Sequence, residues 1–245
     1  MTGQRVKIAN GEAGTGGLLV TPPGAGPFPA VLLTTAIAGI NPYVEDVAAR
    51  VAGHGYVCLA LDYYARQGGP PDLTTMDRIL AAVAALPDAD VLSDMAAAAG
   101  FLRARPEVAP GRIGLVGFCI GGSYALLGAA QLEQARCAVS FYGMLRYDAP
   151  DPRKPVSPLD ASRDLRCPYL GHFGEDDHLV PLDDVMELRK RVRGRPAEVY
   201  AYPGAGHAFH EHFRPQVYRA VAAYDAWSRT MAFLDWHLRQ PDGDG

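Results

Sequence analysis

The sequence predicts an α/β protein, with a mostly parallel sheet covered by helices on both faces. Three observations carry that expectation. Apolar runs of strand length alternate with alanine- and leucine-rich helical stretches along nearly the whole chain, the pattern of a parallel sheet whose crossovers cover its faces. The 245 residues are 49% hydrophobic, ample for a sizeable core. No repeat, low-complexity tract or long linker divides them, so one domain is expected over 1–245, with its core at about 16–238.

Gly17 to Thr21 and Phe28 to Ile37 read as strands separated by the Pro22-Pro23-Gly24 turn. Pro42 to Gly53 reads as a helix and Tyr56 to Asp62 as the next strand. Met76 to Leu86 and Asp90 to Arg103 read as two helices split by Pro87, which cannot sit in a helix interior. Arg112 to Phe118 is an apolar strand and Gly121 to Glu133 a helix. Cys137 to Tyr142 and Cys167 to Phe173 read as buried strands, Leu182 to Val192 as a helix and Ala197 to Tyr202 as a strand. Tyr218 to Leu238 closes the pattern as an amphipathic helix. Met144 to Asp164 is proline-rich and polar, and a surface loop near the strand ends is expected there. The tail at 239–245, ending Gln240-Pro-Asp-Gly-Asp-Gly, is expected to be disordered.

A formal charge of −4 gives no basic footprint for nucleic acid. No run of like charge suggests a tail for a polyanion or a membrane surface. Met1-Thr-Gly-Gln-Arg-Val-Lys lacks the apolar core of a signal peptide and no segment reaches transmembrane length, so a cytoplasmic protein is expected. Cys58, Cys119, Cys137 and Cys167 fall singly, without C-x-x-C spacing, and free thiols are expected.

Only Cys119 has a glycine-turn context. Residues 112–124 read Arg-Ile-Gly-Leu-Val-Gly-Phe-Cys-Ile-Gly-Gly-Ser-Tyr. Strand, sharp turn and helix meet at Gly117-Phe118-Cys119-Ile120-Gly121, the G-x-nucleophile-x-G pattern of the α/β-hydrolase elbow, here with cysteine. The turn strains the backbone at the nucleophile and brings neighbouring chain close, so a Cβ at either flanking position would crowd it. The plain alternative is a buried cysteine beside a glycine-rich strand end.

A cysteine nucleophile needs a base, and the base needs a partner to orient it. In this fold class acid and histidine follow the nucleophile along the chain. Gly174-Glu175-Asp176-Asp177-His178-Leu179-Val180-Pro181 supplies acids just past a buried strand, and Gly204-Ala205-Gly206-His207 supplies a histidine on a glycine-rich turn after the next. The order Cys119, Asp177, His207 fits. The neighbouring cluster of His207, His210, Glu211 and His212 lacks the i, i+4 histidine pair with intervening glutamate of a zinc helix, so no metal is expected.

The chain resembles the dienelactone hydrolase family. The resemblance rests on Gly-Phe-Cys-Ile-Gly-Gly, Leu61-Asp62-Tyr63-Tyr64-Ala65-Arg66, His172-Phe-Gly-Glu-Asp-Asp-His-Leu-Val-Pro and Gly206-His207-Ala-Phe, and spans about residues 28–237. It implies an α/β-hydrolase fold and hydrolysis of a small ester or lactone through an acyl-cysteine, with no cofactor needed. It also selects Asp177 over Asp176. Cys119 would attack the carbonyl, His207 would carry the proton, and Asp177 would fix the imidazole. Backbone N–H groups of Ile37 and Ile120 would bind the oxyanion.

Two departures bear on the substrate. Well-known members carry a glutamate just before the second oxyanion donor, where this chain has Ala36, so direct activation of Cys119 by His207 is expected. They also grip a substrate carboxylate with arginines, one of them shortly after the histidine, where this chain has Glu211. Arg66, Arg78, Tyr64 and Tyr142 are the remaining candidates for substrate contact. A substrate less anionic than dienelactone is therefore expected. Two rival readings stay open: an acyl-transfer or cyclisation step with the same nucleophile, and a non-catalytic ligand-binding relative. A monomer is the default state, with a dimer open.

Overall fold

A computed structural model describes residues 3–147 and 151–240. Its strands are β1 (Gln4–Ile8), β2 (Thr15–Val20), β3 (Phe28–Thr34), β4 (Val57–Leu61), β5 (Val108–Phe118), β6 (Cys137–Phe141), β7 (Tyr169–Gly174) and β8 (Ala197–Tyr202). They form one sheet in the order β1-β2-β4-β3-β5-β6-β7-β8. β2 runs antiparallel to β1 and β4, and the remaining neighbours are parallel. This is an α/β-hydrolase fold.

The helices are α1 (Pro42–Gly53), α2 (Met76–Ala85), α3 (Asp88–Arg103), α4 (Ile120–Gln131), α5 (Pro158–Ala161), α6 (Leu182–Arg191) and α7 (Ala220–Arg239). Period-2 alternation in the strands divides the core in two. On one face Leu32, Leu59 and Leu115 pack with Val83, Met95, Leu127 and Leu188 from α2, α3, α4 and α6. On the other Val31, Leu33 and Val116 pack with Val47 and Val51 of α1 and Ala226 and Leu234 of α7. Burial on both faces is why these strands read as nearly unbroken apolar runs. Local chemistry sets the helix starts: Asn41 Oδ1 accepts from the Val44 N–H at 3.0 Å ahead of Pro42. Thr75 caps α2 in the same way.

Several expectations need adjustment. β3 stops at Thr34, because the chain turns at Ala36, whose carbonyl accepts from the Gly39 N–H at 2.9 Å. α3 starts at Asp88, with Pro87 as its N-cap in extended conformation. β1 has no clear apolar signal because four of its five residues stay at least partly exposed at the sheet edge. The stretch 144–164 is not all surface loop: Lys154, Leu159 and Ser162 are buried and α5 lies within it. Residues 148–150 of that stretch, and 241–245 of the expected disordered tail, lie outside the described residues. Gln240 is held, its carbonyl accepting from Arg112 at 2.7 Å.

All four cysteines are free, and Cys58, Cys137 and Cys167 are buried. Among the described residues no helix is long and apolar enough to cross a membrane. The parallel strands all point their carboxyl ends the same way. Ile37 follows β3, Tyr63 and Tyr64 follow β4, Cys119 follows β5, Tyr142 follows β6, Asp177 follows β7 and His207 follows β8.

Candidate active site

Cys119 joins β5 to α4 with φ 57° and ψ −126°, in the left-handed region that side chains avoid. The glycines around it explain why the chain can make this turn. A Cβ at Gly117 would strike the Gly121 carbonyl, and one at Gly121 would strike the Thr34 carbonyl. One at Gly122 would come within 2.7 Å of Ser140 Oγ. Thr34 Oγ1 donates to the Gly121 carbonyl at 2.8 Å, and the Cys119 N–H donates to the Phe141 carbonyl at 3.0 Å, so β3 and β6 brace the turn from both sides.

His207 Nδ1 lies 2.8 Å from Asp177 Oδ2. The other carboxylate oxygen of Asp177 accepts from the Leu179 and Val180 N–H groups at 2.8 and 3.2 Å. The Asp177 side chain is fully buried, whereas that of His207 keeps 19% of its surface exposed. The acid is thus sealed in while the imidazole stays reachable. Tyr142, itself at φ 42°, sets its ring edge-on to the His207 ring at 5.2 Å.

On its other side His207 meets Cys119. Nε2 is buried and makes no well-aligned hydrogen bond, although the thiol and imidazole interact through charge and a looser hydrogen bond. Resting geometry of this kind commonly tightens only when substrate binds. Burial alone would push the Cys119 thiol up. The His207 charge and hydrogen bond, with the backbone N–H groups of Ile120 and Ile37, outweigh it and hold the thiol below its ordinary value. Burial would likewise lower His207, but the Cys119 charge and the Asp177 hydrogen bond raise it to about 10. The two groups titrate as a pair. By contrast burial pushes Cys58 and Cys137 well up, and Cys167 up to about 12.

The other candidates fall in different places. Tyr64 is buried and donates its hydroxyl to the Ile37 carbonyl at 2.8 Å. The Arg66 fork closes on both carboxylate oxygens of buried Asp94, one bond being 2.8 Å. Arg78 is exposed at the start of α2 and pairs with Asp72. Glu211 pairs with Arg214 at 3.2 Å and is near enough to Tyr43 and Tyr142 for its charge to act on both. His210 Nδ1 lies 2.7 Å from the Tyr43 hydroxyl, and His212 Nε2 lies 3.5 Å from Asp46, so the histidines after His207 are engaged separately.

Two further arrangements have little sequence signal. Tyr63 donates to the Thr35 carbonyl at 3.0 Å; the adjacent tyrosines mark a strand end but not their partners. Lys154 and Asp88 form a buried pair at 2.9 Å, with Tyr124 and Tyr147 beside it. Nothing in the proline-rich stretch singles out Lys154.

The model of the Dienelactone hydrolase family matches residues 15–238. The chain belongs to the dienelactone hydrolase family. It is 42% identical over 222 residues to a Bradyrhizobium sp. protein named as a probable 2-oxo-3-(5-oxofuran-2-ylidene)propanoate lactonase, covering 90% of this chain and 88% of that one. It is 36% identical over 214 residues to an Escherichia coli (strain K12) protein assigned as a carboxymethylenebutenolidase, covering 86% and 77%. A crystal structure of a protein assigned as a dienelactone hydrolase, from Klebsiella pneumoniae subsp. pneumoniae, superposes with a TM-score of 0.89 at 32% identity, covering 95% and 98%. The protein is therefore a dienelactone hydrolase-like hydrolase.

Proposed function

We propose that the protein hydrolyses a small ester or lactone through an acyl-cysteine formed at Cys119. The observation that carries this reading is the position of His207, bonded through Nδ1 to a sealed Asp177 at 2.8 Å while lowering the Cys119 thiol from its other side. The Cys119 thiolate adds to the substrate carbonyl carbon, and the new oxyanion is met by the Ile37 and Ile120 N–H groups. Collapse breaks the bond to the leaving oxygen, which takes the proton from His207 Nε2. In a lactone that oxygen remains on the same molecule as a hydroxyl. Water then loses a proton to His207, the hydroxide adds to the acyl carbon, and the C–S bond breaks to free the acid. Asp177 holds the Nδ1 proton throughout, so Nε2 is the nitrogen that exchanges protons. No resident cofactor enters these steps.

Ala36 cannot accept a proton, so His207 activates the thiol directly. Arg66 and Arg78 are engaged by Asp94 and Asp72, and Glu211 puts negative charge beside Tyr142. These placements favour a neutral or weakly acidic ester or lactone. One observation favours a second reading: the Bradyrhizobium relative is named for a lactone that itself carries a carboxylate.

Hydrolysis of a neutral short-chain nitrophenyl ester and of 2-oxo-3-(5-oxofuran-2-ylidene)propanoate, by wild type and Cys119→Ala, tests both. Turnover of the neutral ester alone, abolished in the variant, supports the first reading. Strong preference for the carboxylated lactone supports the second. Turnover that survives Cys119→Ala would sink the acyl-cysteine mechanism.

A further inference from the structure

Three separate donors pin the carbonyls around the Ile37 N–H. The Ala36 carbonyl accepts from the Gly39 N–H at 2.9 Å. The Thr35 carbonyl accepts from the Tyr63 hydroxyl at 3.0 Å, and the Ile37 carbonyl from the Tyr64 hydroxyl at 2.8 Å. The Ala36 carbonyl and the Ile37 N–H belong to one planar peptide group, so holding the first aims the second. Holding the carbonyls before and after leaves that plane little room to rock.

The loop needs such help. β3 ends at Thr34, so no strand partner orders residues 35–37. The tyrosines that reach it are adjacent, just beyond β4, and each is only 4% exposed. Their rings are held in turn, Tyr63 lying edge-on to Tyr64 at 6.4 Å and to Tyr124 at 5.8 Å. A Cβ on Gly39, which turns the loop at φ +68°, would come within 3.2 Å of the Tyr64 ring. Packing alone would be met by phenylalanine at either position. Two buried hydroxyls that both end on carbonyls of this one loop do something packing does not require.

We propose that Tyr63 and Tyr64 are positioning residues that clamp the Ile37 N–H as the second oxyanion donor. The proposal rests on the acyl-cysteine reading above. An oxyanion donor works only when it sits within about 2.7–3.1 Å of the place where charge develops. The Ile37 N–H already acts on the Cys119 sulfur in the resting site, and the tyrosines keep it there as the oxyanion forms.

Tyr64→Phe and the double variant Tyr63→Phe with Tyr64→Phe remove the hydroxyls and keep the rings. Three readouts separate aiming from folding: steady-state turnover of a nitrophenyl ester, affinity for a trifluoromethyl ketone, and Cys119 alkylation by iodoacetamide. The ketone adds to the thiol as a charged hemithioketal and needs the oxyanion donors, whereas alkylation needs the thiolate alone. Losing one donor outright costs about 100- to 1000-fold in kcat. We expect kcat to fall roughly 10-fold in the single variant and roughly 100-fold in the double, with KM nearly constant. Ketone affinity should fall in parallel, whereas the alkylation rate should fall by no more than a few-fold, because Ile37 is the smallest of the influences that hold the thiol down. Alkylation that falls in step with kcat would overturn the proposal, since the tyrosines would then serve the thiol or the fold at large. All three readouts at wild-type level would overturn it as well. Wild-type enzyme that is alkylated normally but never acylated by any activated ester would instead remove the reading beneath it.

Discussion

Asp177→Asn asks the most of the site with the smallest change in shape. One oxygen of Asp177 accepts from the Leu179 and Val180 N–H groups and the other meets His207 Nδ1. Asparagine has a single oxygen, which must go to the two backbone donors. Its NH2 then faces Nδ1 and can only donate. The neutral imidazole is forced to carry its proton on Nε2, the nitrogen beside Cys119, and can take a proton from neither thiol nor water. A wrong tautomer in a buried acid–histidine pair costs about 10⁴ in rate, or roughly 5 kcal/mol of transition-state stabilisation. Every hydrogen bond keeps a counterpart, so thermal stability should move little. The assay pairs kcat/KM on a nitrophenyl ester with the pH dependence of Cys119 alkylation. Wild type should inflect below the free-thiol range of about 8.5, because His207 and two backbone amides hold the thiol down. The variant should inflect higher. If it kept more than about a tenth of wild-type activity with an unmoved inflection, the tautomer argument would be refuted.

Three further outcomes are expected. Gly117→Ala forces a Cβ against the Gly121 carbonyl and Thr34 Oγ1, and should cost roughly 3 kcal/mol or more in urea unfolding; a change under about 1 kcal/mol would mean the elbow relaxes freely. Lys154→Met strands the Asp88 carboxylate, whose Oδ2 already lacks a partner, and should cost about 3–5 kcal/mol, while adding Asp88→Leu should recover most of it; equal losses in single and double variants would contradict that. His172 and His210 are buried, and desolvation lowers both to about 3. Their unfolded value is near 6.5, so the unfolded chain binds their protons first as pH falls. The stability is therefore fully present above about 6.5 and is lost toward 3, at roughly 1.4 kcal/mol per pH unit for each histidine. Urea midpoints at pH 7.5 and 5.0 measure the loss, and equal midpoints would show that neither histidine resists protonation.

The fold was largely legible because the central strands are buried on both faces and interrupted by turns, so β3, β4 and β6 announce themselves in composition alone. β1 did not, since Gln4, Arg5 and Lys7 give an edge strand the look of a loop. Cys119, Asp177 and His207 each follow their own strand, and local glycine and proline patterns mark each position. Contacts made across the chain were not legible. Arg66 looked like a substrate grip because the residue type suits one, and only the fold reveals Asp94 of α3 filling its fork. Tyr64 looked like a substrate contact, and no local pattern records that its hydroxyl and that of Tyr63 turn toward carbonyls of residues 37 and 35. The pairing of Lys154 with Asp88 joins residues 66 positions apart, and neither has a distinguishing neighbour.

The chain order of the site also bears on synthesis. Burial by itself pushes a thiol up, and the largest influence opposing it at Cys119 comes from His207, 88 residues nearer the carboxyl terminus. A ribosome that has made the elbow, but not the strand and turn that deliver His207, holds a cysteine with ordinary or dampened reactivity. Electrophiles and oxidants attack thiolates, so the nascent protein meets the cell with four quiet sulfurs. On the acyl-cysteine reading only Cys119 becomes reactive, and only when the last strand of the sheet has taken its place.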